Sequence, residues 1–170
     1  MKFAIALTAL PAALALSGKA TTTRYFDGQK GACGCGPANG SNNFDWQLNI
    51  ASGVYTAAGS PSLFGSGTWC GSGCGSCYKL TSTGSAPAGQ GSGGEAGKSI
   101  IVMLTNLCPH EGNEKWCPAS GGTNDAGMSY HFDIMAQSQV FGDNPIVDFE
   151  SIACPSQATT DFKTCQCASS

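Results

Sequence analysis

Residues 99–106 read SIIVMLTN, a near-continuous apolar run that is β-branched at its start and follows a glycine-rich stretch. A run so short with no polar side predicts a strand buried on both faces. Residues 78–83 (YKLTST) alternate apolar with polar, the two-residue period of a half-buried strand. The same reading gives strands over 130–135 and 146–152. Helical periodicity is weak, and 44–50 and 136–141 are each expected to form a short helix or turn. Glycine clusters over 65–75 and 84–97, the second around Pro87, and both stretches predict loops. The segment 82–97 reads as a long flexible loop inside one domain, because the apolar pattern resumes with Ile100. The 24 glycines follow no period, which excludes collagen, and there is no internal repeat. Short strands joined by long glycine loops point to a compact β-barrel.

The first twenty residues do not fit that pattern. Lys2 precedes an apolar segment over 3–16 that is too short to span a bilayer, and small residues follow, with possible cleavage after Ser17 or Ala20. This predicts a secretory signal peptide over 1–20 and a single domain over 21–170, acting outside the cell. No other apolar stretch approaches transmembrane length. The 10 cysteines change the picture further. An even count behind a leader predicts disulfides, with the pairing left open. Cys70, Cys74 and Cys77 have spacing that could serve a metal, but secretion favours bridges and no second cysteine or histidine cluster has zinc spacing. Neither a metal nor a cofactor is expected. Of the 8 basic and 11 acidic residues, Lys2 and Lys19 leave with the leader, so the mature domain carries a net charge of about −5. With no basic patch, nucleic acid and anionic membranes are poor partners, and a neutral polymer fits better. Asn39-Gly40-Ser41 is a glycosylation sequon, consistent with an exposed loop.

Two carboxylates stand out. Asp27 follows Tyr25 and Phe26, and Asp133 lies in the strand-like YHFDIM, where it faces away from Phe132 and Ile134. Two carboxylates on separate segments are what acid–base hydrolysis of a sugar linkage requires. A carboxyl held among aromatics is desolvated and stays protonated as a general acid, while a more solvated partner stays ionised as the base. Asp133 suits the first role and Asp27 the second. An aspartate before glycine is also a common turn former, and a strand carboxylate is also a common solvent-facing residue. Asp45, Asp161, Glu95, Glu111 and Glu114 lie in polar surroundings, Asp148 reads as a surface strand position, and Asp125 could approach the cleft as an auxiliary charge. His131 is expected on the strand face opposite Asp133. No nucleophile elbow is present, so a Ser-His-Asp triad is unsupported. Asn106 ends the buried strand, where it is either a turn residue or an amide that orients water or a sugar hydroxyl. Tyr25, Trp46, Trp69 and Trp116 are candidates to stack on sugar rings, one or two of them facing the cleft.

Five segments taken together resemble a known family: TTRYFDG over 22–28, CGCG over 33–36, WCGSGCGSCYKL over 69–80, TNLCP over 105–109 and SYHFDI over 129–134. In this order and covering essentially the whole mature chain, they resemble glycoside hydrolase family 45, most closely its fungal endoglucanase V type (subfamily B). The resemblance implies a six-stranded double-psi β-barrel with long disulfide-bridged loops, a few short helices and an open groove. It implies endo-hydrolysis of internal β-1,4-glucosidic bonds in cellulose and related β-glucans with inversion, and a monomer is expected. It assigns Asp27 as general base and Asp133 as general acid, with Asn106 assisting the base side. It supports Tyr25 as a sugar contact, and Thr23, Trp46 and His131 are further candidate substrate contacts. The chain has no linker or cellulose-binding module in its sequence, and it lacks a cysteine pair that some relatives carry in the loop around Pro87–Gly91. Expansins, which loosen walls without hydrolysis, share the barrel and the TN-x-C-P and HFD segments but generally lack the first aspartate, so Asp27 favours the hydrolase. A non-enzymatic disulfide-rich carbohydrate binder is the third alternative.

Overall fold

The computed structural model describes residues 15–36 and 53–168. Six strands close into one barrel: β1 (Ser17–Tyr25), β2 (Val54–Gly59), β3 (Cys77–Ser82), β4 (Ser99–Leu107), β5 (His131–Met135) and β6 (Val147–Ile152). Their order around the barrel is β1-β5-β2-β4-β3-β6, with β6 returning to β1. The β1–β5 and β2–β4 pairs are parallel, and the other neighbours are antiparallel. Parallel partners need long crossovers, so extended loops run over the barrel, and the one between β4 and β5 covers part of the site. Phe132, Leu80, Val102, Met103, Leu104 and Val147 are fully buried. Phe132 and Phe149 pack edge to face at 5.4 Å, with Tyr78 at 5.2 Å from Phe132.

The four strands expected from the apolar pattern form within a residue or two of their expected bounds. β1 and β2 were not foreseen, because both are rich in threonine, alanine and glycine. Thr21 and Thr22 are wholly buried, which their composition does not announce. Their hydroxyls are satisfied by tertiary partners, Thr22 by the carbonyl of Pro145 at 2.6 Å. β1 also takes in Ser17–Ala20, which the sequence reading placed in the leader. These residues supply the whole β1–β6 register, Ser17 to Glu150 through Ala20 to Val147, and Lys19 Nζ lies 2.8 Å from Asp148.

Among the described residues two short helices occur, α1 (Pro61–Phe64) and α2 (Ser156–Lys163), and neither was expected. The sequence of α2 shows just two apolar positions four apart, Ala158 and Phe162, and both are buried. Residues 136–141 form bends with no helix, where Ala136 N–H binds the Tyr25 carbonyl at 3.0 Å and Phe141 is buried. The expected element over 44–50, the Asn39 sequon, Asp45 and Trp46 lie outside the described residues.

Disulfides join Cys33–Cys74, Cys35–Cys165, Cys70–Cys167, Cys77–Cys154 and Cys108–Cys117. All ten cysteines are therefore bridged, as the even count implied, and Cys70, Cys74 and Cys77 are not thiolate metal ligands. The glycine-rich loop after α1 packs backbone against backbone. A Cβ on Gly73 would sit 1.9 Å from the Leu63 carbonyl oxygen, so no larger residue fits there. The loop over 83–98 is tied down by the Gly93–Asp143 bridge and by Asn144 Nδ2 donating to the Gln90 carbonyl at 2.8 Å.

Candidate active site

Strand register assembles the site. Thr23 of β1 pairs with Asp133 of β5, Asp133 with Ala58 of β2, and Ala58 with Asn106 of β4. These four side chains form one row across four strands, on the face turned away from Phe132 and Ile134. Ala58 is the smallest member and is buried, and it stands between Asp133 and Asn106, two strand spacings or about 10 Å apart. Tyr25, at the end of β1, packs against Ala58 and the Cys108–Cys117 bridge. Its phenol oxygen accepts from Asn106 Nδ2 at 3.0 Å. The other end of the Asn106 amide accepts the N–H groups of Ala32 at 2.7 Å and Leu107 at 2.9 Å. Asn106 thus braces the end of β1 against β4 and the loop after β1.

Asp27 follows directly on the exposed turn that leaves β1. Its Oδ1 accepts the Gln29 N–H at 2.9 Å, and Gly28 takes φ +67°, a conformation glycine tolerates. The side chain is exposed, yet near enough that its charge acts on both Tyr25 and Asp133. Burial pushes the Asp133 carboxyl up to about 6, a hydrogen bond from Thr23 pulls it down, and Asp27 pushes it up again. Burial also pushes the Tyr25 phenol upward, so it remains a protonated donor.

Behind Asp133 runs a buried polar chain. Thr23 Oγ1 donates to Asp133 Oδ1 at 2.6 Å and lies 2.9 Å from His131 Nε2. A hydroxyl has one proton, so Thr23 accepts from Nε2–H of the ring. The ring's Nδ1 is 2.8 Å from Thr21 Oγ1, and this oxygen accepts from Asn124 Nδ2 at 2.7 Å. Every donor in the chain therefore points toward Asp133. Burial lowers the His131 pKa to about 3, so the ring is neutral, as this pattern requires.

Three sequence expectations change here. His131 is fully buried, with both ring nitrogens engaged, so it cannot contact a sugar. It also shares a face with Asp133, because residues two apart on a strand point the same way. The Thr23 hydroxyl, expected to meet substrate, is engaged by Asp133 and His131. Thr21 and Asn124 were missed, and no local signal marks them: their contact spans 103 positions. Among the stacking candidates, Trp69 is 45% exposed, with Lys30 Nζ 5.6 Å from its ring. Trp116 is half-buried against His131 at 5.9 Å. Asp148 is exposed, as expected. Asp125 is exposed and lines a cavity beside Trp116. Cys108, Cys117 and His131 offer atoms within 4.8 Å of one another, but the bridge leaves no thiolate to hold a metal. Among the described residues, no helix is long and apolar enough to cross a membrane.

Comparison with known proteins agrees with this arrangement. The family described as EXPB1-like domain 1 matches residues 20–169. Endoglucanase-5 of Hypocrea jecorina is 61% identical over 170 residues, spanning 98% of this chain and 69% of that protein. An endoglucanase of Mytilus edulis is 42% identical over 167 residues, spanning 88% and 90%. A GH45 endoglucanase solved in complex with cellobiose matches with a TM-score of 0.76 at 38% identity, covering 89% of each chain. The β-1,4-D-endoglucanase of the blue mussel Mytilus edulis matches at 0.75 and 38% identity, covering 90% of this chain and 93% of that one. The barrel is of the double-psi form expected from the sequence. With the sequence match over nearly the whole chain and the shared barrel in agreement, the chain belongs to glycoside hydrolase family 45, among its endoglucanases.

Proposed function

We propose that this endo-1,4-β-glucanase hydrolyses internal β-1,4-glucosidic bonds of cellulose and related β-glucans by inversion, with Asp133 as general acid and Asp27 as general base. The observation that carries the assignment is the unequal environment of two carboxyls close enough to interact: Asp133 is desolvated and raised to about 6, and Asp27 is exposed within range of its charge. In the reaction Asp133 gives its proton to the glycosidic oxygen as the bond to the anomeric carbon breaks. Asp27 takes a proton from a water that attacks this carbon from the opposite face. Thr23, held by His131, fixes the Asp133 carboxyl through Oδ1, leaving the other oxygen to carry the proton. Tyr25, held by Asn106, presents a phenol within reach of both aspartates' charges, where a sugar hydroxyl can accept from it. Asn106 acts as a positioning residue in this reading, because its amide is engaged at both ends. The leader and five bridges fit an enzyme secreted as a monomer, acting on neutral glucan.

Reducing-sugar release from carboxymethyl cellulose tests the activity and separates it from non-hydrolytic wall loosening. The roles are separated by leaving group. Asp133→Asn should lose most on unactivated cello-oligosaccharides, on the order of 10²–10⁴-fold, and be partly spared on an activated aryl leaving group. Asp27→Asn should lose similarly on both. Near-native rates for Asp133→Asn on unactivated substrates would remove it as the acid. Proton NMR of the first product should show the α-anomer, and a β-anomer would rule out inversion.

A further inference from the structure

We propose that the peptide bond between Asp27 and Gly28 is a site of spontaneous isomerisation to isoaspartate, and that this modification inactivates the enzyme while leaving the barrel folded. Asp27-Gly28 is the only Asp-Gly pair in the sequence. Glycine has no side chain to shield its nitrogen or to restrict the backbone, so the chain can bring that nitrogen to the aspartyl carboxyl. The structure leaves the pair free to react. The Asp27 side chain is exposed, and its Oδ1 accepts the Gln29 N–H at 2.9 Å. This bond folds the carboxyl back over its own backbone, toward the Gly28 nitrogen. Among the described residues nothing binds the Gly28 N–H, and no atom lies within 4 Å of where a Cβ would stand.

The other described aspartates are held. Asp133 and Asp148 lie in strands paired on both sides, and Asp161 lies in α2. The amide that follows Asp125 is bound by Asn124 Oδ1 at 3.1 Å, and Asp143 Oδ2 is held by the Ser92 N–H at 3.1 Å.

The chemistry needs nothing beyond water. The Gly28 nitrogen attacks Asp27 Cγ, its proton and the carboxyl hydroxyl leave as water, and a five-membered imide closes. Water then opens the imide. Attack at Cγ restores aspartate. Attack at the backbone carbonyl gives isoaspartate, whose main chain runs through Cβ and Cγ and whose carboxyl sits directly on Cα. The carboxyl is thereby displaced from its place in the groove. The segment has firm anchors on both sides, the Tyr25 carbonyl on Ala136 N–H at 3.0 Å and Ala32 N–H on Asn106 Oδ1 at 2.7 Å. The inserted methylene is absorbed between them, in the exposed turn. The loss of activity rests on the reading of Asp27 as general base; the modification itself does not.

The purified wild type is aged in mildly acidic buffer. Fragmentation mass spectrometry of the Asp27 peptide gives the isoaspartyl fraction, calorimetry the melting temperature, and reducing-sugar release from carboxymethyl cellulose Vmax and KM. Residual Vmax should equal the remaining aspartyl fraction, with KM and melting temperature unchanged, as for a growing population of inactive but folded molecules. Gly28→Ala, referred to its own starting activity, should isomerise roughly tenfold more slowly, because a Cβ restricts the backbone that the imide needs. The wild-type time course decides the matter by itself should that variant fold poorly. An Asp27 peptide that stays aspartyl throughout overturns the proposal. Isoaspartate that accumulates without loss of Vmax overturns the role of Asp27 as base instead.

Discussion

At the scale of the residue, Asp133 trades stability for chemistry. Its folded-state pKa is raised from 3.8 to about 6, so the folded state binds the proton more tightly than the unfolded one. The stability this confers is complete below 3.8 and is lost as pH rises through 6. Asp133→Asn keeps an acceptor for Thr23 and removes the titration. Thermal unfolding at pH 8 should therefore show this variant more stable than the wild type by of order 1–2 kcal/mol, counting solvent screening of a half-buried group. At pH 3.5 the advantage should vanish, and an equal gain at both pH values would refute the linkage. Thr23→Val gives a second test. The Thr23 hydroxyl lowers the Asp133 pKa, so its loss should move the alkaline limb of kcat/KM to higher pH. Movement to lower pH would show that Asp133 does not set this limb. The carboxylates were legible in the sequence because aromatic neighbours imply desolvation. The Thr21–His131–Thr23 support was not, since a buried threonine looks like any strand residue until its partner arrives from a distant segment.

At the scale of the element, β1 bears on where a leader could be cut. All four β1–β6 pairs come from Ser17–Ala20, and the Ser151 N–H also binds the Leu16 carbonyl at 2.7 Å. Cleavage after Ala20 would delete this seam and open the barrel between β1 and β6. Cleavage after Ser17 keeps three of the four pairs and the Lys19–Asp148 contact. N-terminal sequencing of the secreted protein should thus begin at Gly18 or earlier. A chain beginning at Thr21 that is fully active and equally stable would show that the seam is dispensable. The strands over 78–83 and 99–106 were readable because their apolar positions repeat at the strand period. β1 was hidden because threonine is polar by type and buried here by context.

At the scale of the whole molecule, the bridges divide into two kinds. Cys35–Cys165 spans 130 positions and ties the end of the chain to the loop after β1, whereas Cys108–Cys117 spans 9 and underlies Tyr25 and Trp116. Closing a long loop restricts the unfolded chain more, by about 2 kcal/mol over this range of lengths on the chain-entropy account. Replacing Cys35 and Cys165 by serine should lower the unfolding temperature more than replacing Cys108 and Cys117. The second pair of changes should instead cost activity out of proportion to stability. Calorimetry beside kinetics on cellohexaose checks both, and the reverse order of melting temperatures would contradict the loop-length argument.

The sequence by itself determined the chemistry available: two isolated carboxylates beside aromatics, an even set of cysteines, four of the six strands and a resemblance that named the barrel. Those properties are local, carried by neighbours a few residues apart. Tertiary structure alone decided which cysteines pair, that Thr23, Asp133, Ala58 and Asn106 share one row, and that His131 lies beneath the groove. Register between strands far apart in the chain fixes such relations, and a row across four strands has no counterpart along any one of them.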